Sequence, residues 1–237
     1  MKYLRLFETT AAYDAAKDDL DLPNVSYCED NEEVHYNSWV VETRVVGTFN
    51  VTSTSNPTKI LNSAANIDGI EIDGVVQASV NTTYTFSSTG KHIVKYTLID
   101  PTSIDGSTFE SCSLTSVIIP DSVTSIGNKV FQGCTSLTSV NILDSVTSIK
   151  HYAFNGCSSL TSIVIPNSVT SIGAAAFNDC SSLTSITVEA TTPPTLDYSV
   201  FDNTNNCPIY VPAESVGAYK GAQYWDNYRN RIQPITE

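Results

Sequence analysis

The chain has 237 residues, 41% of them hydrophobic, with only 16% charged and a formal net charge of −13. That is enough apolar material for one large or two to three small units. The acidity argues against nucleic acid as a partner, and no stretch approaches the roughly 18 apolar residues that a membrane span needs.

Residues 1–38 read as a separate piece, with nine acids to three bases. Thr9 and Thr10 suit the cap of a short helix over 11–20, where Ala11, Ala12, Ala15 and Ala16 are strong helix formers, and Pro23 ends it. Short strands are expected around the acidic turn 29–33, which lacks a calcium-loop motif. The start, Met1-Lys2-Tyr3-Leu4-Arg5-Leu6-Phe7-Glu8, turns acidic before an apolar core develops, so it does not read as a secretion signal. Together with Leu22-Pro23-Asn24-Val25-Ser26-Tyr27 and Glu33-Val34-His35-Tyr36-Asn37, it resembles the leader of structural proteins from Bacteroides phages and prophages. That resemblance implies an attachment arm fixing a display domain to a virion.

Residues 39–100 alternate like strands. Val45-Val46, Phe49-Asn50-Val51, Ile67 to Ile72 and Val75-Val76 carry the pattern, with Asp73-Gly74 as a turn signal. Thr83 to Phe86 and His92 to Leu98 flank Gly90 in a final hairpin. The ending Thr85-Phe86, Gly90, His92, Val94, Tyr96 is similar to that of bacterial immunoglobulin-like modules. It implies a small immunoglobulin-like sandwich that runs without a linker into the next segment and caps it. His92, alternating within a strand, reads as structural.

Residues 101–190 repeat with a period of 23. Leu114, Leu137, Leu160 and Leu183 fall at equal steps, as do Val123, Val146 and Val169, and Ile126, Ile149 and Ile172. Phe131, Phe154 and Phe177 recur likewise, with Cys134, Cys157 and Cys180 three residues on. Self-similarity at this period, with a Leu-x-x-Ile-x-Ile core, marks a leucine-rich solenoid. Ile104 with Phe109, and Leu196 with Phe201, keep the Ile-to-Phe step and give about five rungs. One rung cannot bury its apolar face alone, so rungs stack and the ends need caps. A cysteine present once per rung forms a buried ladder of small hydrophobes rather than disulfides.

The unit Asp/Asn-Ser-Val-Thr-Ser-Ile-Gly, Ala-Phe, Cys-Ser-Ser-Leu-Thr-Ser-Ile-x-Ile-Pro resembles the BspA-like leucine-rich repeats, also called the Treponema pallidum type. The resemblance implies a solenoid with strands on its concave side, adhesion through protein or glycan binding, and no catalytic residues. Two departures single out the middle rung. Lys150-His151-Tyr152 stands where neighbours have Gly-Asn-Lys or Gly-Ala-Ala, and Leu143-Asp144 stands where neighbours have Pro120-Asp121 and Pro166-Asn167.

Residues 191–237 form a C-terminal cap. Thr191-Thr192-Pro193-Pro194 breaks the repeat, Cys207 to Pro212 reads as a last strand, and 213–220 as a short helix. Tyr224, Trp225 and Tyr228 then cover the last rung, in an ending similar to that of BspA-like proteins.

The fold class is thus mainly β with short helices. No triad, metal motif or phosphate-binding loop appears, and the expectation is no enzyme, no cofactor and no metal. Thr115, Thr138, Thr161 and Thr184 form a hydroxyl column that suits strand packing. The candidate ligand-binding residues are Asn128, Lys129, Asn141, Lys150, His151, Tyr152 and Thr187. The functional expectation is a displayed binding protein: 1–38 attaches to a virion or cell-surface scaffold, and the repeats take a host surface glycan or protein. The rival readings are a BspA-like cell-surface adhesin and a purely structural virion component. Self-association is left open.

Overall fold

A computed structural model describes residues 44–236. The expectations for the arm 1–38, including its helix and its acidic turn, lie outside the described residues.

Six strands precede the repeats: β1 (Val45–Val51), β2 (Thr58–Lys59), β3 (Ile67–Ile72), β4 (Val75–Val76), β5 (Thr83–Tyr84) and β6 (Gly90–Leu98). Short and longer strands then alternate. They are β7 (Ser103–Ile104), β8 (Leu114–Ile118), β9 (Ser125–Ile126), β10 (Ser139–Asn141), β11 (Ser148–Ile149), β12 (Ser162–Ile165), β13 (Ser171–Ile172), β14 (Ser185–Val188), β15 (Thr195–Leu196) and β16 (Ile209–Val211). A helix α1 (Val216–Gly221), two 3-10 turns and β17 (Ile232–Pro234) close the chain.

The short strands β7, β9, β11, β13 and β15 form one parallel sheet, pairing Ile104, Ile126, Ile149, Ile172 and Leu196 in register. This confirms a solenoid at the expected spacing. The longer strands face it across the core. Strand β17 adds a sixth long strand beyond β16, so the solenoid runs one turn further than the five rungs counted in the sequence. Between the sheets, Phe109, Phe131, Phe154, Phe177 and Phe201 stack ring on ring at 5.2–5.7 Å with their planes nearly parallel. Offset stacking of this kind adds to the burial of each ring. Tyr96 closes the stack edge-on at Phe109, and Trp225 closes it at Phe201.

All five described cysteines are buried free thiols. Cys134, Cys157 and Cys180 each donate from Sγ to a phenylalanine carbonyl of the preceding rung, at 3.0–3.2 Å. Burial pushes the Cys134 thiol up to about 12, which keeps it from the reactive thiolate form at neutral pH.

The strands expected from Val45 to Leu98 are present, while Val40 and Val41, also read as strand-like, lie outside the described residues; the strands do not confirm an immunoglobulin-like sandwich. Strand β1 pairs antiparallel with β6 on one side and with the repeat strand β8 on the other. One sheet therefore runs β10-β8-β1-β6-β3-β4, and only the two-residue ribbon β2–β5 lies apart from it. This segment caps the first rung. The side chains of Asn62, Asn66 and Lys59 donate to the carbonyls of Ser107, Ser103 and Glu110, and the buried Tyr96 hydroxyl donates to Ile60.

His92 is structural, as its strand position implies. Its Nδ1 lies 2.6 Å from Asp73 and its Nε2 2.9 Å from the Ser88 carbonyl. Both ring nitrogens face acceptors, which only the doubly protonated ring satisfies as a donor on both sides. The Asp73 hydrogen bond is the main cause of its raised pKa. A raised folded-state value means the stabilisation is complete below the unfolded pKa, near 6.5, and is lost as pH rises through the folded value. Thermal unfolding from pH 5.5 to 8.5 should show this loss in the wild type and a flatter profile in Asp73→Asn; equal slopes would refute it.

The middle rung departs where the sequence does. Strands β10 and β12 are not paired, so the long-strand side divides into two sheets at that step. The Thr161 amide reaches the Thr138 carbonyl at 3.4 Å, against 2.9 Å for the same bond one rung earlier and one rung later. On the other side of the core, β9, β11 and β13 remain paired. Leu143 replaces the proline found at positions 120 and 166, which leaves the unfolded chain freer there. Leu143→Pro should stabilise the fold by about 0.4–1 kcal/mol, read as a higher urea midpoint; a lower midpoint would contradict it.

Candidate functional site

Each rung turns into its phenylalanine through a residue with left-handed backbone, two positions ahead of the ring. Lys129, Tyr152, Ala175 and Ser199 hold φ between 52° and 59°. Such φ values are uncommon outside glycine. Here the next rung supports them: the amides of Lys129, Tyr152 and Ala175 donate to the carbonyls of His151, Ala174 and Tyr198 at 2.9–3.1 Å. The result is a column of outward side chains, one per rung, with a second column beside it of Asn128, His151, Ala174 and Tyr198.

Four of the seven candidate residues, Asn128, Lys129, His151 and Tyr152, fall on these columns, and Lys150 stands beside them in the column of Gly127, Gly173 and Asp197. The Asn128 carboxamide oxygen accepts the His151 amide at 3.1 Å, and His151 Nδ1 accepts the Ala174 amide at 2.9 Å. That bond places the neutral ring's proton on Nε2. Gly173 allows it, since a Cβ there would stand 2.7 Å from the His151 nitrogen and 3.0 Å from Nδ1. Lys129 Nζ sits 5.9 Å above the centre of the Tyr152 ring, within the range of a cation–π contact.

Two further residues complete the patch, and sequence reasoning missed both. Asp197 Oδ2 lies 3.8 Å from His151 Nδ1. Tyr198 is 54% exposed, and the neighbouring Tyr152 hydroxyl is the main cause of its raised phenol pKa. Between them stand only Ala174 and Ala175, and both are buried although Asn128 and Lys129 at the same positions are exposed. The longer side chains of the flanking rungs therefore close over the alanines. The signal for Tyr198 was its place three residues before Phe201, the offset that His151 keeps before Phe154. The Thr191-Thr192-Pro193-Pro194 break lengthens that step to 24 residues and hides it.

Asn141 and Thr187 do not join this group. They lie on the long-strand sheets, in an outward column with Ile118, Val164 and Tyr210. The threonine column beside it is turned along the stack. Thr115, Thr138, Thr161 and Thr184 each donate their hydroxyl to the carbonyl of a neighbouring strand, at 2.9–3.5 Å. Those hydroxyls serve strand packing and are engaged within the fold. Among the described residues no group of three or more His, Cys, Asp or Glu is placed to hold a metal ion.

Residues 102–220, half of the chain, match the BspA type leucine rich repeat region in six copies. The chain belongs to the BspA-type leucine-rich repeat family. Among solved structures, this BspA-type chain is similar to a leucine-rich cell surface protein from Faecalibacterium prausnitzii, with 32% identity, over 54% of this chain and 32% of that one, at a TM-score of 0.42. A leucine-rich repeat protein from Eubacterium ventriosum shares 21% identity over 60% of this chain and 37% of its own, at 0.45. The leucine-rich repeat protein of Treponema pallidum shares 23% identity over 55% and 78%, at 0.35. The chain spans about a third of the length of the first two. No curated protein matches it in sequence. No described helix is long and apolar enough to cross a membrane.

Proposed function

We propose that this BspA-type chain is a non-enzymatic binding protein displayed on a bacterial surface, whose repeats take a surface glycan or protein of a host. One observation carries the reading: Lys129, His151, Tyr152, Asp197 and Tyr198 converge from three rungs into a single charged and aromatic patch. Ser and Thr hold most other outward positions of the rungs, apart from the variable column of Ile118, Asn141, Val164, Thr187 and Tyr210 on the long-strand side. The description of the similar Faecalibacterium protein as a cell surface protein supports the location.

A second reading has one observation of its own. The leader-like residues 1–38 favour attachment to a phage particle, with the same patch then presented by a virion. Mass spectrometry of purified particles beside washed cell envelopes separates the two. Peptides of this chain in envelopes alone support the cell-surface reading, and stoichiometric peptides in particles replace it with the virion. Binding itself is tested with beads coated with the full chain on mucin and on matrix-protein surfaces. Adhesion that Tyr198→Ala leaves unchanged would remove the patch from the function.

A further inference from the structure

The chemistry of the patch is narrower than a general adhesive surface. Tyr152 and Tyr198 lie two rungs apart, about 10 Å at the usual strand spacing. They stand on the rungs either side of the buried Ala174 and Ala175, where the Tyr152 amide donates to the Ala174 carbonyl and the Ala175 amide to the Tyr198 carbonyl. Tyr152 is half-buried, and Tyr198 is among the most exposed large side chains described. The rim is polar and of mixed sign. His151 directs Nε2–H away from its bonded Nδ1, Asp197 offers a carboxylate, and Lys129 an ammonium group.

Two tyrosine rings are too small to anchor a protein by themselves, since stable protein interfaces bury roughly 800 Å² on each partner. They match the size of a sugar ring. The C–H face of a pyranose carries partial positive charge toward the negative face of an aromatic ring. Its hydroxyls both donate and accept, as the rim requires. The net charge of −13 disfavours an anionic ligand at long range.

We propose that Tyr152 and Tyr198 form a stacking platform for the ring of a neutral saccharide, with His151 Nε2–H, Asp197 and Lys129 taking its hydroxyls. The proposal rests on the binding reading above and names the ligand class of the same patch.

The test uses the full chain and four neutral probes: N-acetyllactosamine, chitotriose, mannotriose and maltotriose. Binding is followed by saturation-transfer NMR and by titration of the tyrosine ring resonances. At least one probe should shift the Tyr152 and Tyr198 rings. Tyr198→Ala should weaken that probe by about tenfold, the value of one lost stacking contact, while Tyr198→Phe retains most of the affinity. Because Tyr198 is exposed, both variants are expected to fold, and unchanged amide spectra check this. Silence from all four probes overturns the saccharide proposal, as does binding that Tyr198→Ala does not weaken. Bead adhesion separates the two levels. If Tyr198→Ala abolishes adhesion while no saccharide binds, the patch stands and the ligand class falls. If adhesion and saccharide binding are both indifferent to Tyr198, the patch falls with it.

Discussion

Phe154→Ala is expected to lower unfolding stability by about 3–5 kcal/mol, the cost of emptying a large core position. Phe154 is fully buried in the middle of the ring stack, 5.2 Å from Phe131 on one side and 5.2 Å from Phe177 on the other. Truncation removes both contacts at once. The two neighbouring rings cannot close the gap, because the backbone is held at the rung spacing by hydrogen bonds from the Phe131 amide to the Ala153 carbonyl and from the Phe154 amide to the Ala176 carbonyl. Solenoid stability is close to a sum of nearest-neighbour terms, so losing one member weakens two interfaces. Phe154→Leu, which keeps most of the volume, should cost much less. Urea unfolding of the two variants gives the comparison. A Phe154→Ala midpoint within about 0.5 kcal/mol of wild type, the range of an ordinary surface substitution, would mean the stack does not carry the fold.

Trp225→Ala should have a comparable cost for a different reason. The indole is fully buried, lies edge-on against Tyr219 at 4.8 Å, and ends the phenylalanine stack at Phe201. Its Nε1 donates to the Pro194 carbonyl at 2.8 Å. Losing the ring costs about 3–5 kcal/mol, and the orphaned carbonyl adds about 1–3 kcal/mol unless water reaches it. Trp225→Phe separates the two terms by keeping a ring and losing the donor. The variant should also associate, because an uncovered solenoid end presents apolar side chains and strand edges to other copies. Light scattering against protein concentration reads this out. A Trp225→Ala protein that is as stable and as monodisperse as wild type would show that the cap is dispensable.

Much of the fold was legible because a period is a strong constraint. Leu114, Leu137, Leu160 and Leu183 are all buried, and so are the valines, isoleucines, phenylalanines and cysteines of the repeating columns except Val140, which is half-buried in the middle rung. A residue that recurs at one step along a stack occupies one environment, so reading a single rung reads them all. The middle rung was legible by the same logic in reverse. Leu143 and His151 break their columns, and there the long-strand ladder opens and the candidate patch begins.

The patch was read only in part. Lys129, Lys150, His151 and Tyr152 stood out as departures from small residues. Asp197 and Tyr198 did not, since the four-residue break before them shifts the count by one and a column is visible in sequence only while its period holds. Asn141 and Thr187 were grouped with the others because variability marks exposure, and exposure alone does not say which side of the solenoid a residue occupies.

The sequence by itself determined the rung: its length, its buried faces, its thiol and ring ladders, and the need for caps at both ends. Each of those follows from local pattern, where a repeated apolar position must be covered by its own copy one rung away. Only the tertiary structure decided who the neighbours were outside the repeat. Alternation along Val45–Val51 fixes which face is buried but not which strand lies alongside, and the pairing of β1 with β8 joins residues more than sixty positions apart. The placing of Tyr152 and Tyr198 on either side of Ala174 and Ala175 likewise depends on the stack being built, because those columns line up only between stacked rungs.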